Sequence, residues 1–196
     1  MEIYLIRHGR TMAPEEYNGS TDIALSPEGM EQARRSGALL QPIRFDGCFC
    51  SPLSRCRTTL EMLSIDVEAV VADELREVDF GQWEGLTLAQ IAERDHHNLE
   101  RWRVERGRFT FPGGESIESF SGRVATWFDA LADSGHERVL VVTHAGVIRR
   151  ALCHMLRLGY DHIYTFAIRE AGVALVNRRP DFCVLEYLNR GGGVDG

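Results

Sequence analysis

The chain lacks the long apolar run that a membrane span requires. No stretch approaches the roughly 18 consecutive apolar residues of a transmembrane helix, and the first residues lead straight into Ile3, Tyr4 and Leu5 without the basic-then-apolar pattern of a secretory leader. It lacks an excess of positive charge. Its 22 Lys and Arg against 29 Asp and Glu give a formal net charge of -7, which argues against nonspecific nucleic-acid binding and against an anionic membrane surface. It has few cysteines. The five, at 48, 50, 56, 153 and 183, are odd in number and without zinc-knuckle spacing, which argues against a disulfide framework and a structural metal site. There is no internal repeat, low-complexity segment or linker. These absences point to one globular α/β domain in the cytoplasm, where the acceptor-like Asn18-Gly19-Ser20 is a chance match.

Against that background, three short apolar runs stand out because each stops at reactive polar residues. Ile3, Leu5 and Ile6 end at Arg7-His8-Gly9. Phe45 to Cys50 ends at Ser51-Pro52-Leu53-Ser54-Arg55. Val139 to Val142 ends at Thr143-His144-Ala145-Gly146, and its β-branched, unbroken apolar character predicts a central strand buried on both faces. Gly9 is expected to allow a turn or close approach by a ligand.

Between these runs the pattern is helical. Ser26-Pro27-Glu28-Gly29 predicts a capped helix start, with Gly29 merely tolerated, and the helix ends before Pro42. A second helix is expected from about Ser54, a third capped by Thr87, another over Leu99 and Trp102, and a long amphipathic one through Ile117, Phe120, Val124, Phe128 and Leu131. Residues 67–71 read as a further apolar run, and 172–176 and 182–187 as an edge hairpin. Residues 74–85 have no regular period and read as an ordered acidic loop.

If the three strands are parallel neighbours, two histidines and two arginines meet at one sheet edge, where α/β folds place their sites. Two arginines beside the histidines disfavour a bound cation, because like charges repel. The set suits a phosphoryl dianion: arginines neutralise its oxygens and an imidazole attacks phosphorus. An acid must still protonate the leaving oxygen. Glu74, Glu77, Asp79 and Glu84 can each supply it, and spacing does not choose among them.

The ordered set resembles the histidine phosphatase superfamily, in its phosphoglycerate mutase-like branch. The matching segments are Leu5-Ile6-Arg7-His8-Gly9-Arg10-Thr11, Leu25-Ser26-Pro27-Glu28-Gly29, Ser51 through Thr58, Leu75 through Gly85 and Val142-Thr143-His144-Ala145-Gly146. Phe111-Pro112-Gly113-Gly114-Glu115-Ser116 with Phe120 and Arg123-Val124 is similar to the α-ribazole-5'-phosphate phosphatases of cobalamin synthesis.

The resemblance implies a three-layer α/β/α sandwich with a mostly parallel sheet and an antiparallel edge. It implies one domain over residues 1–190, an insertion at about 86–116 that lies over the pocket and chooses substrates, and a flexible tail at 191–196. It implies a metal-independent phosphomonoester hydrolase, without cofactor, acting on a small phosphate ester as a monomer or homodimer. His8 matches the histidine that becomes phosphorylated. Arg7, Arg55 and His144 match the phosphate pocket, with His144 also in a catalytic place, and Glu77 matches the acid/base carboxylate. A phosphoglycerate mutase, a fructose-2,6-bisphosphatase-like activity and an inactive phospho-ligand binding protein are the alternatives. One position departs from the pattern: Pro14 stands where the family often has a phosphate-contacting asparagine. Asn18, or amides near Gly19 and Ser20, are expected to compensate.

Overall fold

The computed structural model describes residues 1–192. Six strands form one sheet: β1 (Glu2–Arg7), β2 (Gly47–Cys50), β3 (Val70–Val71), β4 (Arg138–Thr143), β5 (Val173–Arg178) and β6 (Cys183–Arg190), in the spatial order β3-β2-β4-β1-β5-β6. The first four in that order run parallel, and β5 and β6 close the edge antiparallel.

Alternation along the strands separates two cores, because successive side chains leave a strand on opposite faces. Ile3, Leu5, Val139 and Val141 face one layer, against α5 (Ile117–Ala132) and α6 (Ala145–Met155). Tyr4, Ile6, Cys48, Cys50, Leu140 and Val142 face the other, against α1 (Pro27–Leu40) and α2 (Ser54–Leu63). The α1 helix begins as its sequence asks: Ser26 Oγ accepts from the Gly29 amide at 3.1 Å, with Pro27 in the first turn. The result is a three-layer α/β/α sandwich.

Register sets the site. Arg7 pairs with Thr143, and both Ile6 and Cys50 pair with Val142. His8, His144 and Ser51 are the next residues on three adjacent parallel strands, so they emerge side by side at the carboxyl edge.

Several expectations are corrected. The run at 67–71 contributes only the two residues Val70 and Val71, both exposed, because they lie at the sheet edge with the helical layers behind them. The second strand starts at Gly47 rather than Phe45. Gly9 does not leave room for a ligand, since a Cβ there would collide with the Gly29 backbone, and a Cβ on Gly29 would collide with Arg10. These two glycines let the site loop lie directly on the start of α1, so Gly29 is required rather than tolerated. Gly191 and Gly192, the start of the tail expected to be flexible, sit against Ser36 and Ala171, and the Gly192 carbonyl accepts from Arg35 Nη2 at 2.9 Å. The remainder of that tail, 193–196, lies outside the described residues. No helix among the described residues is long and apolar enough to cross a membrane.

Candidate active site

His8 is almost fully buried, and its Nδ1 lies 2.8 Å from the Gly9 carbonyl oxygen. A carbonyl only accepts, so Nδ1 carries the proton and Nε2 keeps its lone pair. Burial, and then the charges of Arg7 and Arg55, hold the imidazole well below the usual histidine range. The ring is therefore a bare nucleophile across the neutral pH range. Its loop is pinned by the His8 amide on the Thr143 carbonyl and the Gly9 amide on Thr59 Oγ1.

The two arginines are held differently. Arg55 is 1% exposed. Its Nη1 donates to Thr21 O at 2.8 Å, its Nη2 to Asn18 O and Gly19 O at 3.1 and 2.7 Å, and its Nε to His144 Nδ1 at 3.3 Å. Four of the five guanidinium N–H groups are thus used. Arg7 donates once among the described residues, from Nη1 to Ile168 O at 3.0 Å, and its Nε has no partner among them. The ion pairs among the described residues include neither arginine. Burial lowers the Arg7 pKa, opposed by the charges of Glu170 and Glu77, yet a guanidinium remains charged at neutral pH.

His144 is held on both ring nitrogens. Because Arg55 can only donate, His144 Nδ1 accepts, and Nε2–H donates to Ser51 Oγ at 2.8 Å. Burial, then Arg55, holds this ring well below the ordinary range too. It packs edge-on against His8, with ring centroids 5.2 Å apart.

The four acids separate by what they touch. Glu84 accepts from the amides of Gly19, Ser20, Thr21 and Phe80, all near 3.0 Å. Those bonds corner the 18–21 loop and correct the expectation that the Gly19 and Ser20 amides bind phosphate, since both are already spent. Asp79 takes Ser20 Oγ and the Gly81 amide. The Glu74 carbonyl accepts from Arg123. Glu77 alone of the four borders the same cavity as His8, Arg7 and Arg55, positioned by the amides of Val78 and Gly146 on its two oxygens. Asn18 also borders that cavity; its Nδ2 donates to Ala13 O at 3.2 Å, and its Oδ1 has no partner among the described residues. Pro14 lines it without a donor.

This polar cavity of about 350 Å³ adjoins an aromatic one of about 210 Å³ walled by Tyr17, Phe80, Trp102, Phe111, Tyr160 and Tyr164. Glu77, Ala145 and Arg149 border both. Trp102 and Phe111 come from the 86–116 segment, whose α3 (Leu88–Arg94) opens on a reciprocal Thr87–Gln90 cap and leads into α4 (His96–Glu105). Sequence reasoning missed Arg149, Tyr160 and Tyr164. Arg149 was detectable, because it lies four residues after Ala145 and so on the same face of α6. The 3₁₀ segment Tyr160–Thr165 carries no periodic signal.

Residues 3–191 match the family model described as histidine phosphatase superfamily (branch 1). The chain belongs to the histidine phosphatase superfamily. An Escherichia coli K12 protein named adenosylcobalamin/alpha-ribazole phosphatase is 28% identical over 194 residues, covering 96% of each chain. The crystal structure of the alpha-ribazole phosphatase from Shigella flexneri superposes with a TM-score of 0.91 at 27% identity over 100% of both chains. A phosphoserine phosphatase mutant of Entamoeba histolytica, solved with phosphoserine, gives 0.84 at 25% identity over 96% of both. This chain is accordingly a phosphatase of the phosphohistidine type that acts on small metabolite phosphates. Among the described residues no group of three or more His, Cys, Asp or Glu is arranged to hold a metal ion.

Proposed function

We propose that His8, Glu77, Arg7 and Arg55 divide the chemistry of phosphomonoester hydrolysis, and that the preferred substrate is an alkyl phosphate whose alcohol portion carries a flat aromatic ring, with α-ribazole 5'-phosphate the leading candidate. The observation that carries this reading is the single cavity that brings the free lone pair of His8 together with the guanidinium groups of Arg7 and Arg55 and the carboxylate of Glu77. A phosphoryl group offers the two arginines the acceptors and the negative charge that they lack.

In this reading His8 Nε2 attacks phosphorus as the ester oxygen departs, and Glu77 gives that oxygen a proton. The Gly9 carbonyl supports the imidazolium through Nδ1–H. Glu77 then takes a proton from water as water attacks the phosphohistidine, releasing phosphate and restoring both groups. Glu77 suits both duties because it stands at the seam between the polar cavity and the aromatic one, where the leaving oxygen would lie. His144 acts through Arg55 as a positioning residue.

The aromatic chamber supports the substrate class. Its rings rest on a stack in which Trp83 is fully buried and lies 5.7 Å from Phe109, and Tyr17 stands 6.1 Å from Trp102. Rigid aromatic walls favour a planar group in offset or edge contact. The 86–116 segment, through Trp102 and Phe111, then serves substrate choice. The test is kcat/KM for α-ribazole 5'-phosphate beside phosphoserine and 3-phosphoglycerate. At least a tenfold preference for α-ribazole 5'-phosphate is expected. Equal or better turnover of phosphoserine or 3-phosphoglycerate would overturn the substrate assignment, and isomerisation of 3-phosphoglycerate would replace hydrolase by mutase.

A further inference from the structure

The far end of the sheet carries a second cavity, of about 480 Å³, that the phosphatase chemistry does not use. It is bordered by Ile3 at the start of β1 and by the carboxyl end of α6, whereas the active site lies at the opposite ends of both elements. At 1.5 Å per residue along α6 the two sites are about 15 Å apart.

Four arginines converge there: Arg150 and Arg157 from α6 and its end, Arg178 and Arg179 from the β5–β6 turn. Two aspartates border the same space. Asp129 is already engaged by His154 Nε2 at 2.7 Å, which leaves Asp181. The ion pairs among the described residues include none of the four arginines. Arg178 Nη1 donates to Ala132 O at 3.2 Å and the Arg150 guanidinium lies 5.5 Å over the Tyr160 ring, but no carboxylate among the described residues neutralises any of the four, so in a chain of net charge -7 the local field is positive. The helix macrodipole accounts for a cation at the end of α6. It does not account for Arg178 and Arg179, which arrive from the hairpin.

The Nε of Arg150 has no partner among the described residues. Arg157 is the left-handed residue that stops α6, with its amide on His154 O and the Leu158 amide on Cys153 O. The apolar floor of Phe128, Met155, Leu158 and Phe182 gives the space a character that a bare ion does not need.

We propose that this cavity is a second anion site, taking a phosphate dianion borne on a partly apolar molecule. Guanidinium forks match phosphate oxygens, and the floor accommodates the organic portion. The same phosphate chemistry could come from inorganic phosphate, the product of the reaction, so the test separates the two.

The experiment is an amide NMR titration of the full chain at constant ionic strength, with inorganic phosphate in one series and benzylphosphonate in another. It is run on the wild type and on Arg157→Gly/Arg179→Gln, which keeps the left-handed backbone while removing two charges. Two sets of shifting amides are expected in the wild type, one around residues 7–9 and one around 154–158 and 178–183. The double variant should weaken the second set at least tenfold and leave the first set, and turnover without added anion, within twofold. Tighter benzylphosphonate binding at the second set identifies an organic phosphate, and equal or tighter inorganic phosphate identifies the product. Wild-type shifts confined to residues around the catalytic cavity would overturn the site. So would a second set that chloride reproduces, or one that persists unchanged in the double variant.

Discussion

Arg55 Nε donates to His144 Nδ1 at 3.3 Å, and that contact makes Arg55 part of the framework while Arg7 is not. Arg55 holds the carbonyls of residues 18, 19 and 21 as well. Arg7 has one carbonyl partner and an orphaned Nε. The two arginines, alike in chemistry, are therefore opposite in what they do for stability.

Arg7→Met should leave unfolding free energy unchanged or raised, because a half-buried guanidinium with a single carbonyl partner and no ion pair is replaced by an apolar side chain. Arg55→Met should cost about 3 kcal/mol, because several buried acceptors lose their donor together. Both should lower kcat/KM by about 10²-fold or more, as removal of a transition-state donor does. Guanidinium chloride unfolding of both variants checks the stability arm. Equal destabilisation by the two would remove the distinction between a framework arginine and a substrate arginine.

Glu77→Gln should impair alkyl phosphates by about 10²–10⁴-fold and p-nitrophenyl phosphate far less, since a good leaving group needs little protonation. The comparison of kcat on the two esters reads the role directly. Equal losses on both would make Glu77 a structural residue, held by Val78 and Gly146 for packing alone.

Stability should fall with acid in a way that His8 and His144 set. Burial lowers both pKa values in the folded chain, while unfolded histidine titrates near 6.5. Below about pH 6.5 the unfolded chain binds a proton at each that the native chain does not, so stability drops as pH falls, by about 1.4 kcal/mol per pH unit for each histidine. Denaturant unfolding between pH 7.5 and 5.5 should show a slope smaller by about half a proton on average in His8→Asn than in the wild type, the difference growing toward the acid end. Identical slopes would mean that His8 is as easily protonated folded as unfolded.

The sheet edge and its polar residues were legible in sequence because the signal is local: each apolar run and the residue that ends it are adjacent. Arg7, His8, Arg55 and His144 all follow such runs, whereas Glu77 was singled out only by the family resemblance. What was not legible depends on contacts across the chain. That Gly9 accommodates Gly29, that Glu84 consumes the Gly19 and Ser20 amides, and that Ser51 fixes the His144 tautomer each requires residues 20 to 93 positions apart to meet. Glu77 and Glu84 are indistinguishable by type and separate only when one meets the loop and the other the cavity. Tyr160 and Tyr164 reach the chamber on a 3₁₀ segment whose placement is tertiary.

The central claim is that His8 carries the phosphoryl group. The direct measurement mixes the enzyme with a labelled phosphomonoester, quenches rapidly without acid, and maps the labelled peptide. The account predicts an alkali-stable, acid-labile label confined to His8, passing to water on the timescale of turnover, and neither label nor turnover in His8→Ala. Label on any other residue, or an active His8→Ala protein, would contradict it.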